Sequence, residues 1–205
     1  MAVKRNNDSV LMALIELGYN LNQPKNNGVT ALGIAALADQ KKSFVSLLDA
    51  GADPFLLDEK GIGVMYLAIK GKSRMLLQYL LNLKVPIYSK EAGYRDNSPI
   101  FYAIRSQNRE AVSIMANTGV DQLNFMTNSH GHNPLTYAAH LKHFELVEHL
   151  AERGMLVDVE DREGKTILLR ALESYNKALA DKLLGLGADI NLVNRSGKTT
   201  LTILV

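Results

Sequence analysis

The chain has 205 residues, 47% of them hydrophobic and 21% charged, which excludes a disordered polypeptide and leaves room for one or two domains or a repeat array. Net charge is +2, from 23 basic against 21 acidic side chains, so there is no global signature of a nucleic-acid binder. The absence of cysteine excludes a disulfide scaffold, a Cys-ligated zinc or iron–sulfur centre and a thiol nucleophile. No apolar run reaches the ~18 residues that a membrane span needs. The first eight residues carry basic side chains without the apolar core of a secretion signal. These features predict a soluble protein of the cytoplasm, or one delivered into a host cytoplasm.

Three markers run along the chain in one register. A turn glycine or its stand-in recurs at Gly28, Gly61, Asp96, Gly131, Gly164 and Gly197, in steps of 33, 35, 35, 33 and 33. A small residue follows seven positions later at Ala35, Ala68, Ala103, Ala138 and Ala171. A second series runs Gly18, Gly51, Lys84, Gly119, Gly154 and Gly187, in steps of 33, 33, 35, 35 and 33. Such periodicity is the signature of a repeat architecture. In chain order it predicts a single domain over 1–205. A half unit at 8–25 comes first, then repeats at 26–58, 59–93, 94–128, 129–161 and 162–194, and 195–205 begins another. The half unit holds one helix. The last stretch stops inside a first helix with apolar, uncapped residues, which predicts a fragment of a longer protein.

The unit is plainest in the fourth repeat. Asn133 is an N-cap with Pro134 at the first helical position, where its missing N–H costs nothing. The helix continues through Leu135, Thr136, Tyr137 and the close-packing pair Ala138-Ala139. A second helix follows from Phe144 to Leu150, with apolar residues at helical spacing. It ends near Gly154, suited to a left-handed C-terminal cap. A turn at Arg162-Glu163-Gly164 leads into the next pair. One such unit cannot bury its apolar face alone, whereas stacked neighbours build a continuous core.

Gly28-Val29-Thr30-Ala31-Leu32, Gly51-Ala52-Asp53, Ser98-Pro99-Ile100, Asn133-Pro134-Leu135, Gly164-Lys165-Thr166 and Gly187-Ala188-Asp189-Ile190-Asn191 carry the match to a known family. Over roughly residues 8–205 the chain resembles the ankyrin-repeat family. The resemblance implies an all-α solenoid of stacked helix-turn-helix units with short β-like hairpins. The chain departs from the family at Gly33, Tyr66, Phe101, Thr136, Leu169 and Thr202, where a histidine is usual. It departs again at Asp96 and Lys84, which replace glycines.

The resemblance also implies a non-catalytic protein–protein interaction module, with hairpin tips and first-helix ends lining a concave binding face. Carried over, the candidate partner-binding residues are Lys60, Lys70, Tyr94, Arg95, Arg105, His130, His132, His140, Arg162 and Lys165, and the longer third repeat adds Phe125. The set leans basic, and Tyr and Arg are enriched at binding hot spots. The expected partner is another protein or an extended peptide, of acidic character; nucleic acid, cofactors and metals are not expected. The alternative is a regulatory or substrate-recruiting arm of a larger enzyme or channel. The two 35-residue steps place extra residues around 89–95 and 122–130. These are expected to lengthen hairpin connections and not helices, and the second offers Phe125 and Met126 as an exposed anchor.

Other motifs fall away. All five histidines lie in the fourth repeat, His130, His132, His140, His143 and His149, but no carboxylate stands at a metal-motif spacing. His143 sits where ankyrin repeats carry a structural histidine. Gly164-Lys165-Thr166 and Gly197-Lys198-Thr199 resemble the tail of a phosphate-binding loop. The required earlier glycines are Val159 and Leu192, and the match fails. The acidic run Asp158 to Glu163 lacks EF-hand spacing and reads as a solvated hairpin. Asn191 resembles a hydroxylation acceptor, although a turn-stabilising role explains it more simply. No catalytic triad or carboxylate pair is legible.

Overall fold

A computed structural model describes residues 3, 7–25, 28–89, 93 and 95–204. They form two compact units, Met1–Tyr102 and Ala103–Val205. The α-helices of the first are α1 (Asp8–Glu16), α2 (Ala31–Leu37), α3 (Lys41–Asp49), α4 (Val64–Lys70) and α5 (Arg74–Asn82). Helix α6 (Pro99–Arg105) carries the boundary. The second unit holds α7 (Arg109–Ala116), α8 (Val120–Phe125), α9 (Pro134–His140), α10 (Phe144–Glu152), α11 (Ile167–Glu173), α12 (Lys177–Gly185) and α13 (Thr200–Leu204).

Local chemistry sets the helix starts. Thr30, Ser73, Asn108, Asn133, Thr166 and Asn176 each accept a backbone N–H from three residues on, the N-cap bond that satisfies an orphan donor. Asn133 caps α9 with Pro134 in its first turn, as the sequence predicts. Between the two helices of each repeat one residue is left-handed: Asp39, Lys72, Gln107, Lys142 or Tyr175, with φ from 52° to 58°. After the second helix, Gly51, Gly154 and Gly187 hold φ near +90°, and Lys84 accepts the same region at 60° in place of glycine.

Packing follows the amphipathic pattern, with first helices against first helices and second against second. In the first unit α2 packs on α4 and α1 on α3; in the second α9 packs on α11, and α10 lies between α7 and α12. The alanines of the repeat marker, Ala35, Ala68, Ala103, Ala138 and Ala171, are all fully buried, which lets these short helices approach closely. Phe44, Leu47 and Leu80 in the first unit and Met115, Leu135 and Leu150 in the second are also wholly enclosed.

The hairpins are turns closed by their own side chains. Asp58 Oδ1 accepts the N–H groups of Lys60 and Ile62 at 2.9 and 2.8 Å. Asn128 does the same for His130 and His132, Asp161 for Glu163 and Lys165, and Asn194 for Ser196 and Lys198. The following Gly61, Gly131, Gly164 and Gly197 all sit near φ +75°. Asp96, which replaces the glycine of the third repeat, lies instead in a 3-10 turn, Arg95–Asn97. The β-like pairing reduces to one isolated antiparallel bridge among the described residues, Leu57 with Gly63.

A polar ladder links successive loops. The side chain four residues after the loop glycine accepts an N–H from the next repeat: Asn22 from Asp53 at 2.8 Å, Asp158 from Asp189 at 3.0 Å. In the third repeat the acceptor is Asn124, which serves Leu156 at 3.1 Å. Its shift by one position follows from α8. The 35-residue step at 122–130 therefore carries a short helix and does not simply lengthen a hairpin connection.

Candidate partner-binding surface

In the first unit Lys60 is exposed at a hairpin tip, and its carbonyl accepts the Nδ2 of Asn97 at 2.7 Å. Lys70 is exposed at the end of α4. Arg95 is half-buried in the 3-10 turn. Tyr94 lies outside the described residues. The Tyr66 and Tyr102 rings stack at 3.9 Å.

The sequence reading missed an apolar crevice of about 270 Å³ in this unit. Phe55, Leu57, Met65, Tyr66, Pro86 and Tyr88 are among its lining residues. It forms where the ladder changes chemistry. Four residues after Gly51 stands Phe55, which has no acceptor, and two residues after Lys84 stands Pro86, which has no N–H. Losing donor and acceptor together leaves no unsatisfied group, so the rung is replaced by an apolar wall at little cost. The signal was present in the sequence, but only in the pairing of two positions 31 residues apart.

In the second unit Arg105 is exposed at the end of α6, and Phe125 is 82% exposed at the end of α8. His130 is exposed, its Nδ1 at 3.1 Å from the hydroxyl of Ser129. Arg162 is exposed and lies over Gly131, where an added Cβ would collide with its side chain. His140 is exposed at the end of α9.

Two expectations need correction. His132 is not a surface side chain: it is 6% exposed and stacks on His140 at 4.7 Å. Burial holds its pKa below the usual imidazole value, with His140, Arg170 and His130 acting in the same direction and Asp161 opposing them. The run from Asp158 to Glu163 is not wholly solvated either. Asp161 is buried, accepts two hairpin N–H groups through Oδ1, and pairs through Oδ2 with Arg170, whose Nε lies at 2.7 Å. Arg170 was not a sequence candidate, because nothing in a single chain marks which arginine will meet a buried aspartate.

The free basic character of the surface is reduced as well. Lys165 is half-buried and donates to both carboxylate oxygens of Glu173, at 2.8 and 3.1 Å. His143 serves the structure, with Nδ1 3.1 Å from the carbonyl of Ile104 and Nε2 3.1 Å from the amide of Gln107. Arg153 joins Ser113, Asn117 and the Nε2 of His149. Burial, then Arg153 and Arg109, hold His149 below its usual pKa. Among the described residues no group of three His, Asp or Glu side chains could hold a metal ion, and no helix is long and apolar enough to cross a membrane.

A family model for ankyrin repeats (3 copies) matches residues 64–161 and 121–194. The chain belongs to the ankyrin-repeat family. Ankyrin repeats are generally non-catalytic protein–protein interaction modules. Mouse ankyrin repeat and SAM domain-containing protein 6 is 31% identical over 67% of this chain. The mouse B-cell lymphoma 3 protein homolog is 26% identical over 99% of it. The chain spans 16% and 46% of the lengths of these two relatives. The crystal structure of the human ASB11 ankyrin repeat domain superposes with a TM-score of 0.75 at 25% identity, covering 98% of this chain and 89% of that one. The ankyrin repeat domain of Bcl-3 superposes with a TM-score of 0.82 at 23% identity, covering 98% of this chain and 91% of that one, a likeness of fold.

Proposed function

We propose that this ankyrin-repeat chain is a non-catalytic recognition module of the cytoplasm that binds another protein through hairpin tips and first-helix ends. One observation carries the reading. The hairpin carboxylates and amides of Asp58, Asn128 and Asp161 satisfy the turn N–H groups internally, so Lys60, His130 and Arg162 are held at defined tips with their side chains exposed. Rigid tips with exposed side chains lose little conformational entropy on binding. Each unit also exposes a basic first-helix end, Lys70 in the first and Arg105 in the second, and this character favours an acidic partner segment and not nucleic acid, given the near-neutral balance of the chain.

Affinity capture from lysate tests the reading, with wild type and a bait carrying Lys70→Glu, Arg105→Glu and Arg162→Glu. A protein captured by the wild type and lost on the charge-reversed bait is the expected result. Equal capture by both baits removes the basic tips and helix ends from the site. A second reading is a recruiting arm within a larger protein. It is favoured by a relative whose name joins ankyrin repeats to a SAM domain and of which this chain spans 16%.

A further inference from the structure

His132 is a titratable side chain that the recognition surface does not use. It is 6% exposed, its ring lies against Tyr137 and His140, and its Nδ1 is buried without a hydrogen-bond partner. The groups that face it come from every neighbouring element. His130 lies on its own hairpin, Tyr137 and His140 on α9, Asp161 on the next hairpin and Arg170 on α11. Asp161 would welcome an imidazolium, but its oxygens are already engaged by two N–H groups and by Arg170. The stacked His140 and the Arg170 cation oppose one. A proton arriving on His132 would therefore sit in an enclosed space beside an existing positive charge, with no free acceptor for its new N–H.

The same backbone segment carries the hairpin clasp. The N–H of His132 donates to Asn128 Oδ1 at 3.0 Å, and its carbonyl accepts the N–H of Asn128 at 2.9 Å. Moving the ring into water means releasing this clasp. We propose that residues 128–132 form a pH-sensitive latch: as pH falls through the imidazole range, proton uptake by His132 opens this hairpin away from the hairpin of Asp161. Opening displaces His130 and uncovers the face of His140, so the tips of this unit change in charge and position together.

The chain contains its own control. The hairpin of Asn194 has the same bonds, Asn194 N–H to the Lys198 carbonyl at 2.8 Å and two N–H groups on Asn194 Oδ1, with no histidine in it. Amide hydrogen exchange of the wild-type chain, expressed as protection factors between pH 7.5 and 5.5, compares the two. Protection at Asn128, Gly131 and His132 is expected to fall severalfold, by at most about tenfold per pH unit for a single proton, while Asn194 and Gly197 hold theirs. In His132→Gln, which stays neutral, the difference should vanish, whereas His149→Gln should keep it. An equal change at both hairpins, or a pH response that survives in His132→Gln, overturns the latch. If His132→Gln fails to fold, the wild-type comparison of the two hairpins still decides.

Discussion

At corresponding places in two loops the molecule uses opposite chemistry. Between the fourth and fifth repeats Asp158 accepts the N–H of Asp189; between the first and second the same positions are Phe55 and Pro86. The first arrangement gives a polar rung. The second gives an apolar crevice in which nothing polar is left unsatisfied by the exchange. A repeat fold tolerates either, because each rung is a local pair whose cost depends on whether both partners change together. The second unit also concentrates buried polar chemistry, with Asp161, Arg170 and His132 in one cluster, and there a single change strands a partner.

The largest effect should come from breaking that cluster. Asp161→Ala leaves Arg170 with only the exposed Glu163 carboxylate, at 3.4 Å, and two hairpin N–H groups without their acceptor, and should cost about 3 kcal/mol in urea unfolding. The corresponding change in the first unit, Asp58→Ala, removes the acceptor for Lys60 and Ile62 and should cost about 1 kcal/mol. Equal costs would show that the ion pair adds nothing to the hairpin.

Rewriting the apolar rung sharpens the contrast next. Phe55→Asn and Pro86→Asp each leave one polar partner unmatched, while together they recreate the rung of Asn22 and Asp53. A double-mutant cycle should return a favourable coupling of about 0.5–1.5 kcal/mol; strict additivity would mean that the loops at the crevice cannot form the rung. The single change Asn22→Ala should cost about 1 kcal/mol by the same bond.

Acidification should also separate the regions. The pKa values of His132 and His149 are both depressed in the folded chain, so the unfolded chain binds more protons as pH falls below about 6.5. Stability is then full above that pH and falls as pH drops toward the folded values, levelling off below them. The urea midpoint should therefore be lower at pH 5.5 than at pH 7.5, and His149→Gln should recover part of the difference. The smallest effect belongs to Lys182. It bridges Glu148 and Glu152 on the solvent side, where ionic screening leaves little net gain, so Lys182→Ala should leave the urea midpoint unchanged.

Much of this was legible beforehand. The turn glycines, buried alanines and N-cap at Asn133 follow from backbone rules that act within a few residues, so the register, the helix pairs and the family could be read directly. The candidate surface was legible only as positions. Lys60, Lys70, Arg105, Phe125, His130, His140 and Arg162 are exposed, but His132 is enclosed, Arg95 half-buried and Lys165 tied to Glu173. A tip position says where a side chain starts, and its neighbours in the adjacent repeat decide where it ends.

The repeat, its period, the N-cap of α9 and the left-handed glycine stops are legible in the residues alone, because capping, glycine φ and apolar spacing are local and recur in phase. Stacking of the repeats settles which charges are neutralised, that the step at 122–130 holds a helix, that Phe55 and Pro86 open a crevice, and that His132 is closed against His140. Those outcomes depend on pairs about one repeat apart in the chain or separated by a helix, and their energies come from burial and electrostatics that exist only once the repeats have stacked.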